Sequence, residues 1–391
     1  MRGAERSWVQ RAVARGYAPP PEPKSPVTVV GPGWERTVPP TAREVPGAGL
    51  PRGGLGVLLP TYVGRCAAGA QEAAVRHLLA ALGPVRAAHP DLPLTVWVGM
   101  QYGAGQEAEA VRRLRLLTAA GPAAPPAGPE AAPLTVVGIA LPGPGKPRTI
   151  NAAVRLTGDL GYAGWLWTDD DVRFTETCLE RLVTRFRERG CTGAVGAAVT
   201  ALSRDTPAAQ TMARVSSVTV PPGSYPVAAC MIVATGVVAS GIPARRLADD
   251  GHVLFELLDP AAPDPLHALE VLPDARGLVH RPGRSRDTVR RLRRSLYSHV
   301  TCMADYPRPV AAHYFSRMLF HGLWPLAPFD GSRGTRRGLV RWVVKAVHFG
   351  WFCRVAAGLA LRGAAGRPLH RVAWGDEGDF RTPVGSGTAP G

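Results

Sequence analysis

The sequence predicts an α/β fold, a mostly parallel sheet with helices on both faces, followed by a helical and basic C-terminal region. Three observations carry that prediction. Between Leu55 and Leu202, short apolar runs alternate with segments of helical periodicity. The alternation has the spacing of βαβ units, which pair their strands in parallel. Polar and charged residues gather where the apolar runs end, and ligands of open parallel sheets bind beyond those carboxyl ends.

Each element follows from a local pattern. Residues 1–53, rich in Pro, Gly and charge with only a short Val27–Val30 run, read as a flexible N-terminal arm. Leu55–Tyr62 is an apolar run with Pro60 near its end, a buried strand leading into a loop. Val75, Leu78, Leu79 and Leu82 then recur at helical spacing. Leu94–Val98 is a second strand, Glu107–Leu117 a helix and Leu134–Ala140 a third strand. The Gly143–Lys146 turn opens a helix carrying Ile150, Ala153 and Val154. Gly164–Thr168 is the fourth strand, and Thr177 with Glu180 forms a capping box for a helix stopped at Gly190. Gly193–Leu202 is a fifth strand. Beyond it come apolar Val227–Val238, a short helix after Asp249-Asp250, strand-like Ala268–Leu272, an Arg-rich helix from Asp287, and aromatic-rich segments before a disordered tail over 376–391.

Composition narrows the classes. A chain of 391 residues with 46% hydrophobic content is globular, and its 45 Gly and 39 Pro demand many loops. The net charge of +16 suits a polyanionic partner: nucleic acid, anionic lipid headgroups or a phosphate-rich substrate. Six scattered cysteines without a Cys-x-x-Cys pair argue against a zinc site or disulfide framework and fit a reducing cytosol. Met1–Tyr17 carries four arginines and no apolar h-region, so it does not read as a secretory signal.

Four constellations bear on chemistry. Asp169-Asp170-Asp171 ends the fourth strand, and in extended chain Asp169 and Asp171 would share one side with Asp170 opposite. A hard divalent cation, Mg2+ or Mn2+, would relieve their repulsion; a helix-capping role is the other reading. Lys146 and Arg148 follow a glycine turn at a helix start, where amides and dipole favour phosphate, with Asn151 one turn on. Asp249-Asp250 precede an apolar helix as caps or as a general base. Arg290 and Arg293 lie on the Arg-rich helix, Arg293 at the edge of its apolar stripe, suited to a phosphate or an acid. Leu339–Leu361 carries Arg341, Lys345, His348 and Arg354 on an apolar background. That pattern is too charged to span a bilayer, since each central charge costs about 2.5–3.5 kcal/mol. It suits either a membrane interface or a core helix.

In order and spacing these pieces resemble the family 2 glycosyltransferases of GT-A fold. Leu59-Pro60-Thr61-Tyr62 matches the family's first strand end, Gly145 to Asn151 its Gly-Lys-x-x-x-x-Asn segment, and Asp169-Asp170-Asp171 its Asp-x-Asp motif. Asp249-Asp250 falls where the family has Glu-Asp, and Arg290-x-x-Arg293 where processive members have Gln-x-x-Arg-Trp. The resemblance implies a GT-A domain over 54–300, a helical region over 301–375, and an inverting, metal-dependent transfer of sugar from a nucleotide-diphosphate donor, UDP-linked, to an acceptor hydroxyl. By the same resemblance Asp169 and Asp171 hold the metal, and Asp250 with Asp249 serves as catalytic base. Pro60, Thr61, Tyr62, Lys146, Arg148, Asn151, Asp169, Asp170, Arg290 and Arg293 bind the donor. The acceptor, whether glycan, lipid-linked or small molecule, is left open. The location implied is the cytoplasm, peripheral to the inner membrane face through Leu339–Leu361, with no nucleic acid partner. Gly99-Met100-Gln101 stands where the family places a base-holding Asp, which leaves the nucleotide open. Arg290 and Arg294 replace the Gln and Trp of processive members, so no polymer synthase is inferred. A sugar-phosphate nucleotidyltransferase would want a fuller Gly-rich signature than Val63-Gly64-Arg65. A non-catalytic module binding membrane or nucleic acid would explain the charge but not the ordered acids.

Overall fold

The computed structural model describes residues 25–64, 68–119, 132–143, 145–202, 225–243, 246, 248–280, 297–299, 302–316 and 335–367. Its frame is a single sheet of ten strands. They are β1 (Val27–Gly31), β2 (Trp34–Val38), β3 (Leu55–Tyr62), β4 (Leu94–Tyr102), β5 (Leu134–Pro142), β6 (Gly164–Thr168), β7 (Val172–Phe174), β8 (Ala194–Leu202), β9 (Cys230–Ala234) and β10 (Leu269–His280). The spatial order is β2-β1-β5-β4-β3-β6-β9-β8-β10-β7. Through the centre, β5, β4, β3 and β6 run parallel. Antiparallel pairing begins at β1 on one side and at β9 on the other. The expected parallel sheet is therefore its centre; β1, β9 and β7 pair antiparallel toward the sides, while β10 pairs β8 in parallel.

Strand alternation divides the core. Val57, Leu59, Val96 and Leu166 face helices α1 (Ala68–Ala81), α2 (Gly83–Ala88), α3 (Glu107–Ala119) and α5 (Cys178–Glu188). Leu58, Trp97, Trp165 and Trp167 face α4 (Lys146–Leu156), α6 (Thr235–Val238) and α7 (Asp249–Leu257). The three tryptophans are fully buried, and each such side chain contributes roughly 1.5–3 kcal/mol or more of hydrophobic stabilisation. Gly99 lets α4 lie directly on β4, because a Cβ there would sit 1.9 Å from the Thr149 methyl.

Two expectations need correction. Residues 27–38 are not part of an arm: β1 and β2 form a hairpin, and β1 adds to the sheet against β5. Edge pairing supplies what the weak local pattern of Trp34–Val38 does not. The capping box at α5 does not form. The Thr177 hydroxyl instead accepts from Arg181 Nε at 3.1 Å, and Glu180 accepts from the Thr184 hydroxyl at 3.1 Å. C-terminally, α8 (Arg308–His313) precedes α9 (Thr335–Ala364), a single helix of 30 residues. Among the described residues no helix is long and apolar enough to cross a membrane.

Candidate active site

Strand order reverses at β3: the next parallel strands, β4 and β5, extend to one side of it and β6 lies on the other. Such a switch point opens a crevice beyond the carboxyl ends of the two strands that flank it. At β3 that end is Thr61-Tyr62, and at β6 it is Thr168-Asp169. Because β9 is antiparallel to β6, the start of β9 comes to the same edge.

The acidic triplet is a turn rather than extended chain. The Val172 amide donates to the Asp169 carbonyl at 3.4 Å, reversing the chain between β6 and β7. The two-residue alternation that predicted Asp169 and Asp171 on one side therefore does not apply, and their placement is set by the turn. Asp171 is buried and Asp170 half-buried. The Asp169 amide and the Thr168 hydroxyl both donate to the Ala229 carbonyl, at 3.2 and 2.8 Å, which holds the turn against the segment before β9.

Lys146 lies beneath this turn, 4% exposed. Its Nζ donates to Asp169 Oδ1 at 2.9 Å and to the Ala228 carbonyl at 2.6 Å, and it stands 3.2 Å from Asp249 Oδ2. Burial would lower its pKa, but the Asp169 and Asp249 charges outweigh that and hold it above the ordinary lysine value. Asp249 is lifted to about 6 by burial, with Lys146 pulling down and Asp250 and Asp169 pushing up. Lys146 thus brings the turn after β6 and the start of α7 into one place.

Asp250 is half-buried, with Oδ1 accepting from the Gly251 amide at 2.8 Å. Its neighbour His299 is kept by burial below the usual imidazole value, with Asp250 opposing. The His299 ring stacks on Tyr314 at 5.4 Å, and Tyr225 OH lies 3.4 Å from its Nε2.

Of the other residues expected to bind a donor, Pro60, Thr61 and Tyr62 lie at the end of β3 and Arg148 and Asn151 at the start of α4. Thr61 is buried; its hydroxyl and the Tyr62 carbonyl each accept from Gln71 Nε2 at 3.3 Å. Pro60 is half-buried one residue earlier. Arg148 folds back over the glycine turn: a Cβ on Gly143, where φ is +78°, would meet its Nη1 at 2.7 Å. Asn151 is turned to another task. Its Nδ2 donates to the Ile242 carbonyl at 2.8 Å and its Oδ1 accepts from the Ile242 amide at 2.7 Å, fastening α4 to the segment that leads to α7. Arg290 and Arg293 lie outside the described residues.

Gln101 has a role that sequence reasoning missed. Buried at the end of β4, it accepts from the Gly145 amide at 3.0 Å. Its Nε2 donates to the Gly145 carbonyl at 2.7 Å and the Thr149 hydroxyl at 2.8 Å. It therefore locks the turn that delivers Lys146. A polar side chain ending an otherwise apolar strand was the signal. Beside it an open groove runs between the ends of β4 and β5, lined by Tyr102, Gly103, Glu107, Pro142 and Gly143.

Among the described residues no group of three or more His, Cys, Asp or Glu side chains is arranged to hold a metal. Two carboxylates such as Asp169 and Asp171 would give a hard cation only part of its oxygen shell.

No protein-family model and no curated protein sequence matches the chain. Among solved structures it is similar to a mannosyltransferase from Pyrobaculum calidifontis in complex with GDP-Man and Mn2+, at 17% identity and a TM-score of 0.46, covering 81% of this chain and 88% of that one. It is also similar to S. aureus TarS 1–349, at 12% identity and a TM-score of 0.34, covering 80% of this chain and 92% of that one. A third is glucosyl-3-phosphoglycerate synthase from Mycobacterium tuberculosis in complex with Mn2+, UDP-Glc and phosphoglyceric acid. There the identity is 12% and the TM-score 0.35, with 64% of this chain and 79% of that one covered. These likenesses are loose, and what bears on function is the chain's own side chains.

Proposed function

We propose that the chain is a metal-dependent glycosyltransferase of GT-A type that moves a sugar from a nucleotide-diphosphate donor to an acceptor hydroxyl. The observation that carries this reading is the meeting of Asp169 and Asp249 on Lys146 at the switch-point crevice, which joins two acidic sites far apart in sequence. The donor would lie across the ends of β3, β4 and β6, with its base toward the Tyr102–Gly103 groove and its diphosphate toward Asp169 and Asp171. Mg2+ or Mn2+ on these carboxylates would supply Lewis-acid stabilisation of the leaving diphosphate. Asp250, at the first turn of α7, would accept the proton of the acceptor hydroxyl as that oxygen attacks the anomeric carbon. A single displacement inverts that centre, and UDP is the expected leaving nucleotide.

Released nucleotide is the direct test, measured over a panel of UDP- and GDP-sugars with Mn2+, Mg2+ or EDTA. Turnover that needs the divalent ion and falls at least about a hundredfold in Asp171→Ala supports the reading, by the scale of lost electrostatic stabilisation. Undiminished, metal-dependent turnover in Asp171→Ala removes the metal assignment.

We also propose that α9 rests on an anionic membrane surface. It carries Arg336, Arg337, Arg341, Lys345, Arg354 and Arg362 with no acidic residue, and Trp342, Val343 and Leu361 are exposed. Flotation with phosphatidylserine vesicles, lost in Arg341→Gln/Lys345→Gln, is the expected outcome. Equal flotation of both proteins would refute it.

A further inference from the structure

Lys146 was expected to meet a phosphate, and its surroundings argue otherwise. An ammonium carries three donors and no acceptor. Two of these donate, to Asp169 Oδ1 at 2.9 Å and to the Ala228 carbonyl at 2.6 Å, and a third oxygen, Asp249 Oδ2, pairs with the charge at 3.2 Å without accepting a hydrogen bond. At 4% exposure the side chain is sealed beneath the crevice floor. The three oxygens come from three segments: the turn after β6, the stretch before β9 and the first turn of α7. Gln101, through Gly145, fixes the backbone from which Lys146 starts, and Asn151 pins the same helix to Ile242.

We propose that Lys146 is a positioning residue, a buried three-way tie that sets the carboxylate turn at Asp169 against the helix that presents Asp250. This rests on the glycosyltransferase reading for what Asp169 and Asp250 do, but not for the tie itself. Two carboxylates on one buried ammonium are held together by it. Without the cation they would face each other as like charges in a desolvated space and push the two segments apart. A lysine that instead met the donor's phosphates would leave the unliganded protein's stability nearly untouched when removed. The two roles therefore separate in the free protein.

The test is a double-mutant cycle on thermal unfolding of the full chain without ligand: wild type, Lys146→Met, Asp249→Asn and the pair. Met keeps the length and apolar stem of Lys. The tie predicts that Lys146→Met lowers the unfolding midpoint by about 5 °C or more, the scale of a broken buried pair. Adding Asp249→Asn, which removes one of the facing charges, should recover at least about half of that loss. Should Lys146→Met not fold, the paired variant decides: recovery of cooperative unfolding upholds the tie, and no recovery overturns it. In variants that fold, calorimetry with Mn2+ in the presence of UDP should show at least about tenfold weaker Mn2+ binding in Lys146→Met. UDP alone should bind within about twofold of wild type. A midpoint within about 1 °C of wild type together with tenfold weaker UDP binding would make Lys146 a phosphate ligand and sink the proposal. Unfolding needs no substrate, so the cycle can succeed where no nucleotide sugar is turned over, and additive unfolding can accompany active enzyme. The two readings fail separately.

Discussion

Two buried cations seat helix α7, and they do it differently. At its start Lys146 gathers two carboxylates and a carbonyl on the crevice side. On the far side Arg246, 7% exposed, pairs with Asp305 at 3.3 Å and donates to Tyr306 OH at 2.7 Å and to His252 Nδ1. Its guanidinium lies 4.6 Å from the Tyr306 ring centre. Tyr306 OH in turn donates to Glu256 at 2.6 Å, closing a ring of contacts around the helix. An ammonium is a point charge that collects acceptors, whereas a guanidinium is a planar fork that also stacks. The first therefore suits a junction of several chain segments, and the second clamps one helix to one turn. Only the first touches the residues proposed to do chemistry.

That contrast breaks most visibly in folding free energy. Arg246→Met removes the guanidinium from Asp305 and His252 in a buried space, and about 3–5 kcal/mol of stability should go with it. Residual protein in the folded state should keep its nucleotide and metal affinities. If Arg246→Met instead abolished Mn2+ binding while unfolding at the wild-type midpoint, the division between clamp and junction would be wrong. A smaller effect is expected at Gln101→Leu, which strips the Gly145 turn of its partners at about 1–3 kcal/mol. Because that turn carries Lys146, this variant should weaken Mn2+ binding as well, which Arg246→Met should not. Urea unfolding and calorimetry on the two variants distinguish them.

Two residues in the first turn of α7, Asp249 and His252, also titrate with opposite sign. Burial and then Arg246 press the His252 pKa down to about 4, so the fold keeps it neutral. Its stabilising contribution is complete above the free value near 6.5 and is lost as pH falls toward about 4, on the order of 3 kcal/mol in all. Asp249 is raised to about 6 against a free value of 3.8, so its contribution is complete below 3.8 and declines as pH rises through about 6. Lys146 holds that rise down, so Lys146→Met should lose stability more steeply than wild type as pH rises from about 4 to about 7, and adding Asp249→Asn should remove the extra slope. A Lys146→Met protein with the wild-type pH dependence would contradict that sign.

How far the sequence foretold this arrangement depends on how local the cause is. The parallel centre was legible because each strand is a continuous apolar run and each helix follows it directly. The hairpin β1–β2 was not, because Trp34–Val38 becomes a strand only by pairing with β1, itself held by β5. Three-residue β7 depends likewise on distant β10. In the site, the acids and Lys146 were visible as residue types at strand ends and a helix start. That Lys146 points inward to Asp249 follows from the strand order of the sheet and from Asn151 gripping Ile242, neither of which leaves a local pattern. Gln101 was noticed for the acid it replaces, not for the turn it holds.

The smallest expected change in folding falls at the residue proposed to carry the most chemistry. Asp250 stands beside Asp249 in sequence yet is half-buried, and its Oδ1 accepts from the Gly251 amide next to it. Asn in its place keeps an oxygen to accept from that amide, so stability should stay within about 0.5 kcal/mol of wild type. A carboxamide cannot take up the acceptor's proton, so turnover should fall by roughly 100- to 10,000-fold. UDP and Mn2+ binding should hold. The adjacent Asp249→Asn should behave in reverse, moving stability with pH and turnover far less. If the two variants lost turnover equally, Asp249 and Asp250 would act as one unit, and the separation of tie from base at the first turn of α7 would not stand.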